Sequence, residues 1–451
     1  MTRQMVMVGF LQAQNCTNLP SSWRHPQSRT DATTADFYGE IGRVLERGKF
    51  HIAFFDDRFA MPDRYGSDHS HTVEYGIRCV KMDPVVTMMA MGFATKKMGI
   101  ASTASTTYYE PFDVARKFMT VDHMLNGRAG WNVVTSVNDG EAHNMGKDEH
   151  LEHDARYDRA DEFMEVVLGH WDSWDPDALI VDKKSGRFAD PKKVRRLDHK
   201  GKFFRSRGPF TVPRSPQGHP VIIQAGASGR GRKFAARWGE VIFASQHTTE
   251  FAVPAYKALK DEVARIGRNP DDMFVCAGVQ CVAGATRAEA EDKMATIEKL
   301  PLQIDALSLL AEGLNFDFAT KELDEPLTTA ELSSFSGMLT IRDHVMKVSG
   351  KANPTVRDFL KHNNRGQTHG SIVGGPKEIA DRLEEMFVMR GCDGFVVAAT
   401  HVPGAYEDFV THVIPELQRR GLYHKDYAGS TLRENLGLPV AEVGDWKNVS
   451  A

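Results

Sequence analysis

The 451-residue chain holds only five cysteines, Cys16, Cys79, Cys276, Cys281 and Cys392, and no Cys-x-x-Cys pair. An odd count at wide spacing excludes a disulfide framework and a zinc knuckle, and fits a reducing, cytoplasmic setting. No stretch approaches the ~20 consecutive apolar residues that span a bilayer. The apolar run 5–11 follows Arg3, but polar Gln12, Gln14 and Asn15 come at once. It is too short for a signal peptide and reads as a first buried strand. Neither sign of charge is in excess, and a formal net charge of −4 gives no pull toward nucleic acid or an anionic membrane. The basic cluster Lys192-Lys193-Val194-Arg195-Arg196 has acidic neighbours and reads as a solvated ribbon. Also lacking are the Gly-x-Gly-x-x-Gly fingerprint of a Rossmann-type nicotinamide site and the Gly-x-Ser-x-Gly elbow of a serine hydrolase.

What is there is a regular alternation. Short apolar runs at 5–11, 50–55, 98–102, 130–135, 221–224, 241–244, 274–279 and 395–399 are mostly unbroken, as strands covered on both faces should be. Helical patterns fall between them, for example at 36–47, 115–125, 155–171, 231–238 and 249–266. The alternation predicts an α/β fold with a parallel sheet, and eight units predict closure into a (β/α)8 TIM barrel, with an open doubly wound sheet as the competing architecture. The expected organisation is one barrel domain over 1–451 with two insertions. The first, about 173–218, follows the strand-4 helix and carries the turn signal Lys183-Lys184-Ser185-Gly186. The second, about 298–367, lies between strands 7 and 8 and is too long for an ordinary barrel loop. Insertions after barrel strands tend to build lids or pocket walls.

The sharpest local motif is a strand followed by Gln224-Ala225-Gly226-Ala227-Ser228-Gly229-Arg230-Gly231-Arg232 and a helix. Small residues let a ligand approach the backbone, Ser228 offers a hydroxyl, and the helix start offers free N–H groups. These are the parts of a phosphate cradle, with Arg230 and Arg232 placed to help; a plain Gly-rich turn is the alternative. Strand ends, where barrel enzymes keep their chemistry, carry Asp56, Asp57, Thr103, Asn132 and Thr135. Two adjacent carboxylates on one strand point apart, which argues against a glycosidase pair. His143, His150 and His153 lie among acidic residues, but their spacing fits no metal signature, so no metal is expected.

An ordered set of stretches resembles the FMNH2-dependent monooxygenases of the bacterial luciferase-like superfamily, in the nitrilotriacetate and dibenzothiophene-sulfone monooxygenase family. It runs from Trp23-Arg24-His25-Pro26 and Glu46-Arg47-Gly48-Lys49-Phe50 through Thr107-Tyr108-Tyr109-Glu110-Pro111-Phe112 and Gly127-Arg128-Ala129-Gly130-Trp131-Asn132-Val133-Val134-Thr135-Ser136. His150-Leu151-Glu152-His153-Asp154-Ala155-Arg156-Tyr157-Asp158-Arg159 and Pro213-Arg214-Ser215-Pro216-Gln217-Gly218 complete it.

The resemblance implies a cofactor, FMN as FMNH2, with O2 as co-substrate and a separate NAD(P)H:flavin reductase as partner. It implies Asp57, Thr103, Asn132 and Thr135 around the flavin ring and ribityl chain, with Thr103 and Asn132 closest to the chemistry. It also implies His153, Tyr157, Ala227, Ser228 and Gly229 at the phosphate end, and a homo-oligomer, dimer or tetramer. The Asp56-Asp57-Arg58 stretch is more charged than in relatives, so Arg58 is expected to reshape the substrate side. Tyr108, Tyr109, Phe10, Phe55, Phe59 and the methionines suggest an apolar pocket. A hydrophobic aromatic sulfur- or halogen-containing substrate is favoured over an aminopolycarboxylate. A deazaflavin (F420)-dependent oxidoreductase is the rival of the same fold.

Overall fold

A computed structural model describes residues 3–449 apart from 227, 228, 246, 247, 364, 365 and 369. Eight parallel strands close on themselves: β1 (Val6–Gln12), β2 (Ile52–Asp56), β3 (Gly99–Ser105), β4 (Ala129–Val134), β5 (Val221–Gln224), β6 (Val241–Ala244), β7 (Phe274–Ala283) and β8 (Gly394–Ala398). Each pairs with the next in sequence, and β8 pairs with β1, so no edge remains. The β8–β1 seam is tight: a Cβ on Gly394 would stand 1.9 Å from the Val6 carbonyl oxygen. The architecture is thus the predicted (β/α)8 barrel rather than the open sheet.

Helices α1 (Ala35–Arg47), α2 (Pro84–Ala94), α3 (Pro111–Met124), α4 (His153–Trp171), α5 (Gly229–Trp238), α6 (Thr249–Arg265) and α7 (Pro376–Val388) follow β1 to β7 in turn. The last strand is followed by Gly404–Asp408, which continues through a π-helical turn into Ile414–Arg419. Odd-numbered β4 residues face this shell. Trp131 is fully buried against Phe118, Phe163 and Trp171, and its indole N–H donates to the Ala104 carbonyl at 3.1 Å. Helix α2 is not evident from sequence pattern, because its apolar residues leave no polar stripe to set a period. Asp83 starts it, with its carboxylate accepting from Val85 N at 2.8 Å and Val86 N at 3.1 Å.

Between α4 and β5, Leu179–Asp182 and Arg187–Ala189 form an antiparallel hairpin around Lys183–Gly186, with Gly186 at φ 74°. Between β7 and α7, the helices Gln303–Leu314, Thr329–Ser334, Leu339–Ser349 and Val356–His362 enclose their own core of Leu310, Leu314, Phe318, Phe335 and Phe359. Two ion pairs tie this segment to the barrel loops: Arg24–Asp305 at 2.7 Å and Arg58–Glu312 at 3.1 Å. All five cysteines are unpaired thiols. Among the described residues no helix is long and apolar enough to cross a membrane.

Candidate active site

Period-two alternation decides what stands at the barrel mouth. Val6 and Val8 of β1 point inward with Ile52, Phe54, Ala101, Val221, Ile223 and Val396. Phe10 stacks on Phe54 at 5.6 Å, and Phe54 meets Phe243 edge-on at 4.7 Å, making an aromatic floor. The next inward positions toward the C-terminal ends are Gln12, Asp56, Thr103 and Asn132. The ladder sets Gln12 opposite Asp56 and Thr103 opposite Asn132.

Thr103 and Asn132 form a directed chain. The Thr103 hydroxyl donates to the Phe55 carbonyl at 3.0 Å, so its oxygen must accept from Asn132 Nδ2, 2.9 Å away. That fixes the amide orientation and leaves Asn132 Oδ1 buried with no hydrogen-bond partner among the described residues. Gln12 Nε2 is a second such atom, a donor. A buried acceptor and a buried donor without partners among the described residues are costly to leave so, and a polar ligand at the mouth would satisfy both. Half-buried Thr135 lies just beyond β4, its carbonyl accepting from the Thr107 hydroxyl at 2.7 Å.

The second group gathers at the start of α5. On α4, His153 and Tyr157 lie one turn apart with ring centroids 5.2 Å from each other, and Tyr157 packs edge-on against Phe234 of α5 at 5.6 Å. His153 Nδ1 is 2.7 Å from the Asp154 carboxylate. Gly229 opens α5 and is exposed, with nothing among the described residues within 4 Å of where a Cβ would stand. Ala227 and Ser228 lie outside the described residues. Arg230 is neutralised by Asp161 at 2.5 Å and Asp158 at 3.1 Å, while Arg232 is exposed. The α5 N-terminal N–H groups and the exposed Arg232 both contribute positive potential at this end.

Beside the mouth is a cavity of about 430 Å3 whose wall includes Asp57, Phe59, Met61, Lys81, Met82 and Tyr109. The two aspartates are parted as strand geometry requires. Asp56 has the inward parity and holds Lys81 Nζ at 3.1 Å, whereas Asp57 follows the strand and lines the cavity. Burial pushes the Asp57 carboxyl up to about 7, with Lys81 opposing and Asp56 adding. Phe59 meets Tyr108 at 5.8 Å and Tyr109 at 5.7 Å, as an apolar pocket would have it. Phe55 does not join them: it turns outward against Tyr38 at 5.8 Å in the helix-facing core. Of the three histidines noted in sequence, His150 bonds the Tyr108 hydroxyl at 2.9 Å and His143 is 3.2 Å from the Asp148 carbonyl. Sequence reasoning missed Gln12, Arg78 and Lys81. The parity of β1 could have found Gln12; nothing local marks the other two.

The luciferase-like monooxygenase family model matches residues 19–394. The chain is 40% identical over 449 residues, 98% of each chain, to a dibenzothiophene-sulfone monooxygenase of Rhodococcus erythropolis. It is 38% identical over 421 residues, 92% of this chain and 93% of the relative, to nitrilotriacetate monooxygenase component A of Aminobacter aminovorans. Among solved structures, a riboflavin lyase holding modified FMN and riboflavin superposes with a TM-score of 0.88 at 32% identity, covering 99% of this chain and all (100%) of that one. The chain belongs to the luciferase-like monooxygenase family and is a flavin-dependent monooxygenase.

Proposed function

We propose that the chain is the oxygenase component of a two-component system. It takes FMNH2 from a separate NAD(P)H:flavin reductase, uses O2, and oxygenates a hydrophobic aromatic sulfur- or halogen-containing compound, by sulfone cleavage or oxidative dehalogenation. The observation that carries this reading is the unpartnered pair above the aromatic floor, Asn132 Oδ1 and Gln12 Nε2. A flavin ring offers N–H donors and carbonyl acceptors on one flat edge, so the two orphan atoms fit it. When bound, reduced flavin supplies the electrons that activate O2.

The chain's own groups do the rest. Thr103 fixes the Asn132 amide so that its oxygen is ready to accept. His153, Tyr157 and Gly229, with positions 227 and 228, hold the phosphate end. The Phe59–Tyr109 wall offers apolar contact to substrate, and the segment 298–367, tied down through Glu312, shields the mouth from water. Self-association as a dimer or tetramer belongs to the same reading.

Supplying FMN, NADH and a generic flavin reductase under isotopically heavy O2 tests the whole. Label in an aromatic sulfone or halogenated aromatic supports it. Label only in an aminopolycarboxylate moves the substrate to the second reading. Tight deazaflavin binding with hydride transfer and no oxygen consumption would sink the monooxygenase reading. A second test concerns flavin alone. Thr103→Val removes the acceptor that orients Asn132, and the FMN dissociation constant should rise about five- to tenfold, as one hydrogen bond is worth. Quenching of FMN fluorescence measures it, and an unchanged constant would remove Thr103 from the site.

A further inference from the structure

The cavity beside Asp57 contains a charge that the protein leaves unbalanced. Its wall carries the cations Arg58, Arg78 and Lys81 and the carboxyls Asp57 and Asp83. Arg58 is neutralised by Glu312 at 3.1 Å, and Lys81 by Asp56 at 3.1 Å. The Asp83 carboxylate is spent on the backbone N–H groups that open α2. Arg78 has no carboxylate partner among the described residues. Its Nη2 donates to the neutral Asn18 carbonyl at 3.1 Å and Asn18 Oδ1 at 3.0 Å, and its Nε has no partner among the described residues. The residue is only 7% exposed. An arginine this buried without a counter-charge is expensive to keep.

A second observation is independent of charge. Arg78 is held at φ 55°, in the left-handed region that bulky residues rarely adopt. Strain of this kind persists where the surrounding structure enforces it, and it gathers at ligand sites. Here Ile77 N is bonded to the Thr72 carbonyl at 2.9 Å and Arg78 N to the Gly76 carbonyl at 3.0 Å, which fixes the backbone.

We infer that Arg78 is a specificity-determining residue that holds an anionic substituent, a carboxylate or sulfonate, of the substrate at the wall of this cavity. The remaining wall, with Phe59, Met61, Met82, Tyr109 and Met145, is apolar and adaptable. The substrate is then an amphipathic anion: an apolar or aromatic body bearing one acidic group. The polyanion of an aminopolycarboxylate would meet only one uncompensated cation, and a wholly neutral arene would leave Arg78 unpaired. This narrows the substrate class and rests on the cavity being the substrate side of the oxygenase.

The test uses the enzyme saturated with oxidised FMN and two probes, phenyl methyl sulfone and its para-carboxylated counterpart, titrated calorimetrically. Wild type should bind the carboxylate roughly ten- to a hundredfold more tightly than the neutral sulfone, the range of a charge-assisted bidentate contact. Arg78→Gln should erase that preference while leaving the neutral probe's affinity unchanged, and Arg78→Lys should retain part of it. Equal affinities in wild type, no binding of the carboxylate, or a preference that survives Arg78→Gln would overturn the inference. If Arg78→Gln loses its near-ultraviolet dichroism, the wild-type ratio and Arg78→Lys still decide. Turnover separates the two layers. A carboxylate preference in binding, with no heavy oxygen incorporated into either probe, keeps the anion subsite and counts against the oxygenase reading of the cavity. Incorporation into the neutral probe alone keeps the oxygenase and overturns the subsite.

Discussion

Replacing Glu312 by alanine is expected to lower the unfolding free energy by about 3 kcal/mol, the low end of what breaking a buried ion pair costs. The side chains of Arg58 and Glu312 are 15% and 8% exposed and meet at 3.1 Å, and Asn138 Nδ2 also donates to Glu312 at 3.3 Å. Alanine leaves the Arg58 guanidinium buried, with the more distant carboxylates Glu141 and Asp56 as weaker offsets. Glu312→Gln keeps an acceptor for both donors and should lose less. The double change Arg58→Met with Glu312→Leu removes both charges and should recover most of the loss. Urea unfolding followed by far-ultraviolet dichroism checks the order of the four proteins. Because Glu312 is on the insertion helix, the first sign should be faster proteolysis within 298–367, before the barrel unfolds. A Glu312→Ala protein with an unshifted midpoint and the same cleavage pattern would show the pair to be solvated, and the shielding role of the insertion would lose its anchor.

How far the site could be seen in the sequence follows from which signals are local. Strands buried on both faces are unbroken apolar runs, so β5 and β6 have the bounds their runs suggest, and β7 exceeds its run by four residues because Gln280 interrupts the apolar pattern. Helix α2 is hidden for the opposite reason, being nearly all apolar. Thr103 and Asn132 are local too, as polar residues inside strands that would otherwise be apolar. Their mutual hydrogen bond and the orphan Asn132 Oδ1 are properties of the β3–β4 register, which no single strand reveals. The Asp56-Asp57 pair shows the limit plainly. Alternation says that the two diverge, but only the ladder partner Gln12 shows Asp56 to be the inward one. The contacts of Arg58, Arg78 and Lys81 join segments far apart in sequence. Arg58 meets Glu312, 254 positions on, and that is why charge balance at the cavity was illegible.

At about pH 8, Asp57→Asn should be more stable than wild type by about 2 kcal/mol, and the difference should vanish near pH 4. The sign follows from the raised acidity constant. Burial is the largest cause, and Lys81 only partly offsets it, so the folded carboxyl titrates at about 7 against an ordinary 3.8. Below the ordinary value both folded and unfolded chains hold the proton, and the residue costs nothing. Between about pH 4 and pH 7 the unfolded chain releases it while the folded chain keeps it, so stability falls as pH rises, by up to ~1.4 kcal/mol per pH unit. Above about pH 7 the loss is complete and constant. The full shift corresponds to about 4 kcal/mol, which partial solvent access at the cavity reduces to about half. Asparagine has the same shape and never ionises, so it removes the pH-dependent part and little else. Urea midpoints of both proteins at several pH values give the comparison directly. A gap that stays flat across that range, or that favours wild type as pH rises, would mean that Asp57 is ionised throughout beside Lys81. The cavity wall that also carries Arg78 would then hold a full negative charge, a counter-ion that the anion subsite requires to be missing.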